Sequence, residues 1–171
     1  GIYNWFDPLA LIKAMDILSD DHPEIKLFFM GVKHPNPEVK ELKMAADAYE
    51  LCKSLGLEKK NVSFNFGWVD YDKRADYLLD SDIGIITYPG HIETRFAFRT
   101  RILDYLWADL PVISSQGDYL SSMVARQGLG ISVKNTPGDI AEAIIRLYDD
   151  QGFYCEGKSN IQGIIGDFTW S

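Results

Sequence analysis

The chain has 171 residues, 46% hydrophobic and 25% charged, a make-up that supports one globular domain with a core of its own. Lys and Arg number 17 against 25 Asp and Glu, a net charge of −8, which argues against a nucleic-acid binder because that role needs a basic face. The longest apolar runs are far too short for a transmembrane segment, no basic and apolar leader is visible, and two cysteines with no zinc spacing leave a reducing, cytoplasmic setting as the expectation.

Asp7-Pro8 marks a helix start, with Asp as cap and Pro at the first position, and Leu11, Ile12, Met15 and Leu18 give that helix one apolar face. Residues 25–30 are mostly apolar and end at Gly31, as a buried parallel strand does. Asn36-Pro37 repeats the cap signal and predicts a helix carrying Val39, Leu42, Ala46, Tyr49, Cys52 and Leu55, stopped by Gly56. Cys52 reads as a buried free thiol. Residues 61–66 alternate as a strand, 72–79 read as a short helix, and 83–87 read as a strand. A helix with arginines is expected to begin near Phe96, followed by a strand at Val112-Ile113. Asp118 can cap a helix reaching Gln127, Gly128 ends it, and 129–133 form the last strand. Thr136-Pro137 opens a final helix with Ile140, Ala143, Ile144 and Leu147 inward, and the Gly-rich stretch from Gly152 reads as a tail.

Helices alternating with short apolar strands predict an α/β domain, an open, mostly parallel sheet covered on both faces. Ligands in such sheets sit beyond the carboxyl ends of the strands. The loops at Gly31, at Gly67-Trp68-Val69, at 88–96 and at 114–118 all lie on that edge. Such sheets open with a strand, so the chain reads as one domain, residues 1–171, of a longer protein.

The densest chemistry is in residues 88–118. Glu93, Thr94, Arg95, Arg99, Thr100, Arg101 and Asp104 stand together where a helix N-terminus meets the ligand edge. Guanidinium groups there suit a diphosphate, and a carboxylate one turn on suits ribose hydroxyls. The same residues also read as an amphipathic helix with Phe98, Ile102 and Tyr105 inward and its arginines solvated. His91 sits in this loop. Asp80-Ser81-Asp82 resembles a metal-binding Asp-x-Asp, but it precedes a strand and so lies on the opposite edge. No dinucleotide fingerprint, P-loop or nucleophile elbow is present.

The run Leu103-Asp104-Tyr105-Leu106 through Leu110-Pro111-Val112-Ile113 is similar to a signature of group 1 (family 4) glycosyltransferases, enzymes of the GT-B fold with two Rossmann-like domains. Residues 1–14, 61–67, 75–88 and 168–170 resemble further parts of that family's C-terminal domain. The resemblance implies a Rossmann-like three-layer α/β/α domain with a mostly parallel sheet that binds a nucleotide-diphosphate sugar and works with its own N-terminal domain in the full-length protein. It implies sugar transfer with retention, without a metal or cofactor, and an isolated domain that turns over nothing. Asp104 takes the place of the glutamate that contacts ribose. Glu93 takes that of the glutamate near the transferred sugar, although Phe96 occupies the position the family spacing assigns. The family's Arg and Lys after the first strand are replaced by Asn4, Trp5 and Asp7, so Arg99 or Arg101, or more weakly Lys13, serves as the diphosphate clamp. Trp68 and Val69 lie where the base would sit, and Asp109 stands at the family's Gly. A nucleotide-sugar epimerase on the same scaffold, or a non-catalytic nucleotide- or protein-binding module, are the alternatives.

Overall fold

The computed structural model describes residues 2–32, 36, 38, 42–92, 96 and 98–168. Among them the order is α1 (Pro8–Leu18), β1 (Leu27–Phe29), α2 (Lys43–Ser54), β2 (Val62–Phe64), a 3₁₀ turn (Tyr71–Lys73) into α3 (Arg74–Leu79), and β3 (Gly84–Ile86). Then come α4 (Arg101–Trp107), β4 (Val112–Ser115), α5 (Tyr119–Arg126), β5 (Gly130–Val133), α6 (Pro137–Asp149), and α7 (Gln151–Ile164) into a 3₁₀ turn (Ile165–Phe168). Every strand pairing among the described residues is parallel: β1 with β2, β3 with β4, and β4 with β5.

Helices cover both faces. One apolar layer joins α1, α2 and α6 to Ile113 and Val133, and the other joins α4, α5 and α7 to Val112 and Leu129. β4 feeds both layers, and all four of its residues are buried: Val112 and Ile113 continue the apolar run entered through Leu110 and Pro111, and Ser114 and Ser115 bring buried hydroxyls to the strand's carboxyl end. The expected three-layer α/β/α domain is therefore present. Its sheet, however, stands in two pieces, β1-β2 and β3-β4-β5, with no ladder joining β1 to β3 among the described residues. Helix α1, packed on both α2 and α6, holds the pieces together.

The predicted caps form. Asp7 Oδ1 accepts the Ala10 N–H at 3.0 Å, Thr136 Oγ1 accepts that of Asp139 at 3.2 Å, and Asp118 makes a reciprocal capping box with Ser121. Three expectations need correction. The second helix begins at Lys43, because Asn36 Oδ1 turns back to the Glu38 N–H and Asn4 supplies the acceptor for the Met44 N–H at 3.2 Å. The arginine helix begins at Arg101 and has seven residues, because the backbone before it closes tight turns, Thr100 N–H to Phe98 O and Ile102 N–H to Arg99 O. Phe98 is consequently exposed and does not pack inward. The Gly-rich stretch from Gly152 is not an irregular tail: it forms α7, capped by Asp150, with Gly157 and Ile161 buried, so docking overrides glycine's poor helix propensity.

Candidate functional site

Asn4 and Asp7 mark the ligand edge. Asn4 reaches the start of α2, which follows β1, while the Asp7 N–H donates to the Thr87 carbonyl just beyond β3 at 3.0 Å. The carboxyl ends of both sheet pieces thus share one edge.

Beneath that edge runs a chain of polar groups, buried at Tyr88, Ser115 and Asp118 and partly buried at Asp7 and Asn135. Asp7 Oδ2 accepts from Asn135 Nδ2 at 2.6 Å, Asn135 Oδ1 accepts from Ser115 Oγ at 2.9 Å, and Ser115 Oγ accepts the Tyr88 N–H at 3.2 Å. The Tyr88 hydroxyl lies between the Ser115 carbonyl, 2.9 Å away, and the Asp118 carboxylate. Its single proton goes to the carboxylate, the stronger acceptor. Burial pushes the Asp118 carboxyl above its ordinary range, against the opposing pull of the Ser121 and Leu120 N–H groups. Neighbouring strand ends β3, β4 and β5 are locked together by these bonds.

The network carries the first functional group. The Arg99 guanidinium stacks 4.4 Å from the centroid of the Tyr88 ring. Its Nε is buried and meets no hydrogen-bond acceptor among the described residues. Burial pulls its pKa down from the usual arginine value. A half-buried cation held on an aromatic face with an unsatisfied donor suits an anionic ligand.

A second cluster lies at the first turn of α4. Arg74 Nη1 is 3.3 Å from Asp104 Oδ2, each side chain about a third exposed (32% and 32%), and the Arg74 guanidinium stacks 4.5 Å over the Tyr71 ring. Asp104 Oδ1 makes no hydrogen bond among the described residues. Arg101, Asp104 and Tyr105 line the wall of a groove of about 700 Å³ that runs between the sheet pieces.

Of the sequence-predicted residues, Arg101 and Asp104 share the groove wall at the first turn of α4, Arg99 stands just before that helix on Tyr88, and Thr100 is exposed without a side-chain capping bond. Trp68 and Val69 lie in the loop after β2, Trp68 58% exposed. His91 is exposed in the loop beyond β3, and Lys13 is exposed on the second turn of α1. Glu93, Thr94 and Arg95 lie outside the described residues. Asp80 ends α3 and Asp82 gives only its carbonyl, to the Tyr154 hydroxyl at 3.2 Å. No group of three or more metal-binding side chains occurs among the described residues. Asp109 adopts the left-handed conformation (φ 57°) that favours glycine, with its carboxylate held by Lys158 at 3.3 Å and Gln162 at 3.0 Å. Sequence reasoning missed Tyr88, Arg74, Ser115 and Asn135, whose hydrogen-bond partners are 20 or more residues away. It found Asp118 as a cap but not as the partner of Tyr88.

The family model described as Glycosyl transferases group 1 matches residues 4–150. The chain belongs to the group 1 glycosyl transferases. No curated protein matches it significantly. Among solved structures, this group 1 domain is similar to the C-terminal domain of LpcC, a glycosyl transferase group 1 family protein from Francisella tularensis (TM-score 0.78, 16% identity, 97% of this chain and 80% of that one). It is similar to Anabaena HepE, solved in complex with UDP and glucose (TM-score 0.76, 17% identity, 97% and 41%). It is also similar to WaaG, a glycosyltransferase involved in lipopolysaccharide biosynthesis (TM-score 0.71, 16% identity, 95% and 40%). At these identities the likeness is one of fold. The chain spans about two fifths of the length of WaaG and HepE. No helix among the described residues is long and apolar enough to cross a membrane.

Proposed function

We propose that this chain is the donor-binding domain of a retaining glycosyltransferase that moves a sugar from a nucleotide-diphosphate sugar to an acceptor. The observation that carries this reading is the Arg99 guanidinium, stacked on Tyr88 at the ligand edge with a buried Nε that meets no acceptor among the described residues. It and Arg101 clamp the diphosphate and stabilise it as it departs, work that needs no metal or cofactor when the guanidinium groups are fixed in advance. Asp104, held through one oxygen by Arg74, keeps Oδ1 for a ribose hydroxyl. Trp68 and Val69 meet the base, and Glu93 and Thr94 approach the sugar. The acceptor site belongs to an N-terminal domain of the full-length, cytoplasmic protein, so this domain alone binds donor and turns over nothing. HepE's complex with UDP and glucose supports a donor of this class.

Calorimetry with nucleoside diphosphates and their sugars tests the reading. Arg99→Ala and Arg101→Ala are each expected to weaken binding about tenfold or more, the worth of a hydrogen bond to a charged group. Unchanged affinity in both variants would remove the clamp assignment. Absence of any nucleotide binding by the full-length protein would favour a non-catalytic module.

A further inference from the structure

Arg74 opens α3, which follows β2, and Asp104 stands in the first turn of α4, which follows β3. A helix that crosses over from a parallel strand starts at the strand's carboxyl end, so two separate crossovers bring a guanidinium and a carboxylate to the ligand edge. The guanidinium is fixed locally. The Arg74 N–H closes the 3₁₀ turn on the Tyr71 carbonyl, and side chains three residues apart eclipse in such a turn, which sets the guanidinium 4.5 Å over the Tyr71 ring. From there Nη1 reaches Asp104 Oδ2 at 3.3 Å.

Two features set this contact apart from a stabilising surface bridge. Both side chains are about a third exposed, and an ion pair at such exposure adds little to stability. A guanidinium fork can also take both oxygens of a carboxylate, yet here it takes one, and Oδ1 meets no donor among the described residues. The last torsion of an aspartate is broad and two-fold, so an unheld carboxylate has no fixed plane. The bond to Oδ2 supplies one. It also sets a positive charge beside a carboxylate that stands three residues from Arg101, where an uncompensated negative charge would oppose a diphosphate.

We propose that Arg74 is a positioning residue for the donor's ribose: acting through Asp104, it holds Oδ1 outward and so sets the preference of the site for a nucleotide that carries the ribose diol. The inference rests on the donor-binding reading above and adds the residue that decides ribose discrimination, with Tyr71 as its support.

Calorimetry on the full-length protein tests it, using the four common ribonucleoside diphosphates and the 2′,3′-dideoxy form of the one that binds best. In the wild type the ribonucleotide is expected to bind about tenfold or more tighter than its dideoxy form, the worth of a hydrogen bond to a charged group. Arg74→Ala is expected to cut that ratio to about threefold or less. Asp104→Ala should abolish it, and adding Arg74→Ala to Asp104→Ala should then change the ratio no further, because the two residues act as one unit. A merely structural Arg74 would weaken both nucleotides alike and leave the ratio unchanged, which overturns the proposal while the donor-binding reading stands. Arg74→Gln, near in length and uncharged, carries the same test where the alanine variant does not fold. A wild type that binds both forms alike, or a ratio that survives Asp104→Ala, also overturns it. Failure of all four nucleotides to bind the wild type removes the donor-binding reading and the proposal together.

Discussion

Asp118 accepts the Ser121 N–H at the head of α5 and also the proton of Tyr88, while only 3% exposed. Its pKa is raised from an ordinary value near 3.8 by burial. In the interval between the unfolded and folded values the native state binds more protons, so this group's contribution to stability falls as pH rises. Asp118→Asn removes the titration and keeps the cap, because an amide oxygen accepts the same N–H. The stability of the wild type minus that of the variant should decline on raising the pH from about 3, then level off above the folded value. Denaturant melts across an acid pH series measure it, and a difference that does not change with pH would show that the capping bonds cancel the burial. The cysteines make a second residue-scale test. Burial, aided by the charge of Glu58, pushes the Cys52 thiol up to about 11, whereas Cys155 is exposed. At pH 8 only about one Cys52 in a thousand is thiolate. A thiol reagent should label one cysteine in the native chain and both after unfolding. Rapid labelling of two would mean that α2 opens readily.

At the scale of elements, what could be read in the sequence was what local chemistry decides. Asp7, Asp118 and Thr136 are caps because a side-chain oxygen next to a helix start satisfies a nearby N–H whatever the tertiary fold. The buried strands were legible as apolar runs. The start of α4 was not, because the turns at Phe98 to Ile102 depend on where Arg99 stacks, and Arg99 stacks on a ring that belongs to another element. Nor was α7, whose glycines argue against a helix until Gly157 and Ile161 find buried positions. Arg99, Arg101 and Asp104 could be proposed as neighbours from spacing alone. That Arg74 holds Asp104 and that Tyr88 carries Arg99 could not, because these contacts join separate elements. One glycine fixes the fit of two strands. Gly130 has φ +145°, and a Cβ there would lie 2.1 Å from the Val112 carbonyl oxygen. Gly130→Ala is therefore expected to destabilise the domain by about 3 kcal/mol or more, from overpacking and backbone strain together. Thermal unfolding reads it directly, and a loss under about 1 kcal/mol would mean that the β4-β5 ladder shifts to make room.

At the scale of the molecule, the ligand edge is assembled from distant parts. Asp7, Tyr88, Ser115, Asp118 and Asn135 meet under it, and Arg99 rests on that floor. The floor is rigid because each member is hydrogen-bonded to the next, so the guanidinium of Arg99 is oriented before any ligand arrives. The division of labour also separates the tests: Arg101→Ala should change donor affinity and leave unfolding nearly untouched, whereas Gly130→Ala should act on stability first.

Among the described residues helix α1 packs more extensively on α6 than on any other element, yet α1 ends at Leu18 and α6 begins only at Pro137. A ribosome adding 5–20 residues per second needs on the order of ten seconds to deliver α6 after α1 has emerged. Throughout that interval Leu11, Ile12, Met15 and Leu18, each 5% exposed or less in the finished domain, lack the cover that α6 supplies and have only α2 of that helical layer beside them. The nascent chain thus carries a partly covered apolar helix for most of the synthesis of this domain, and slowed translation between the two helices should lengthen its dependence on chaperones.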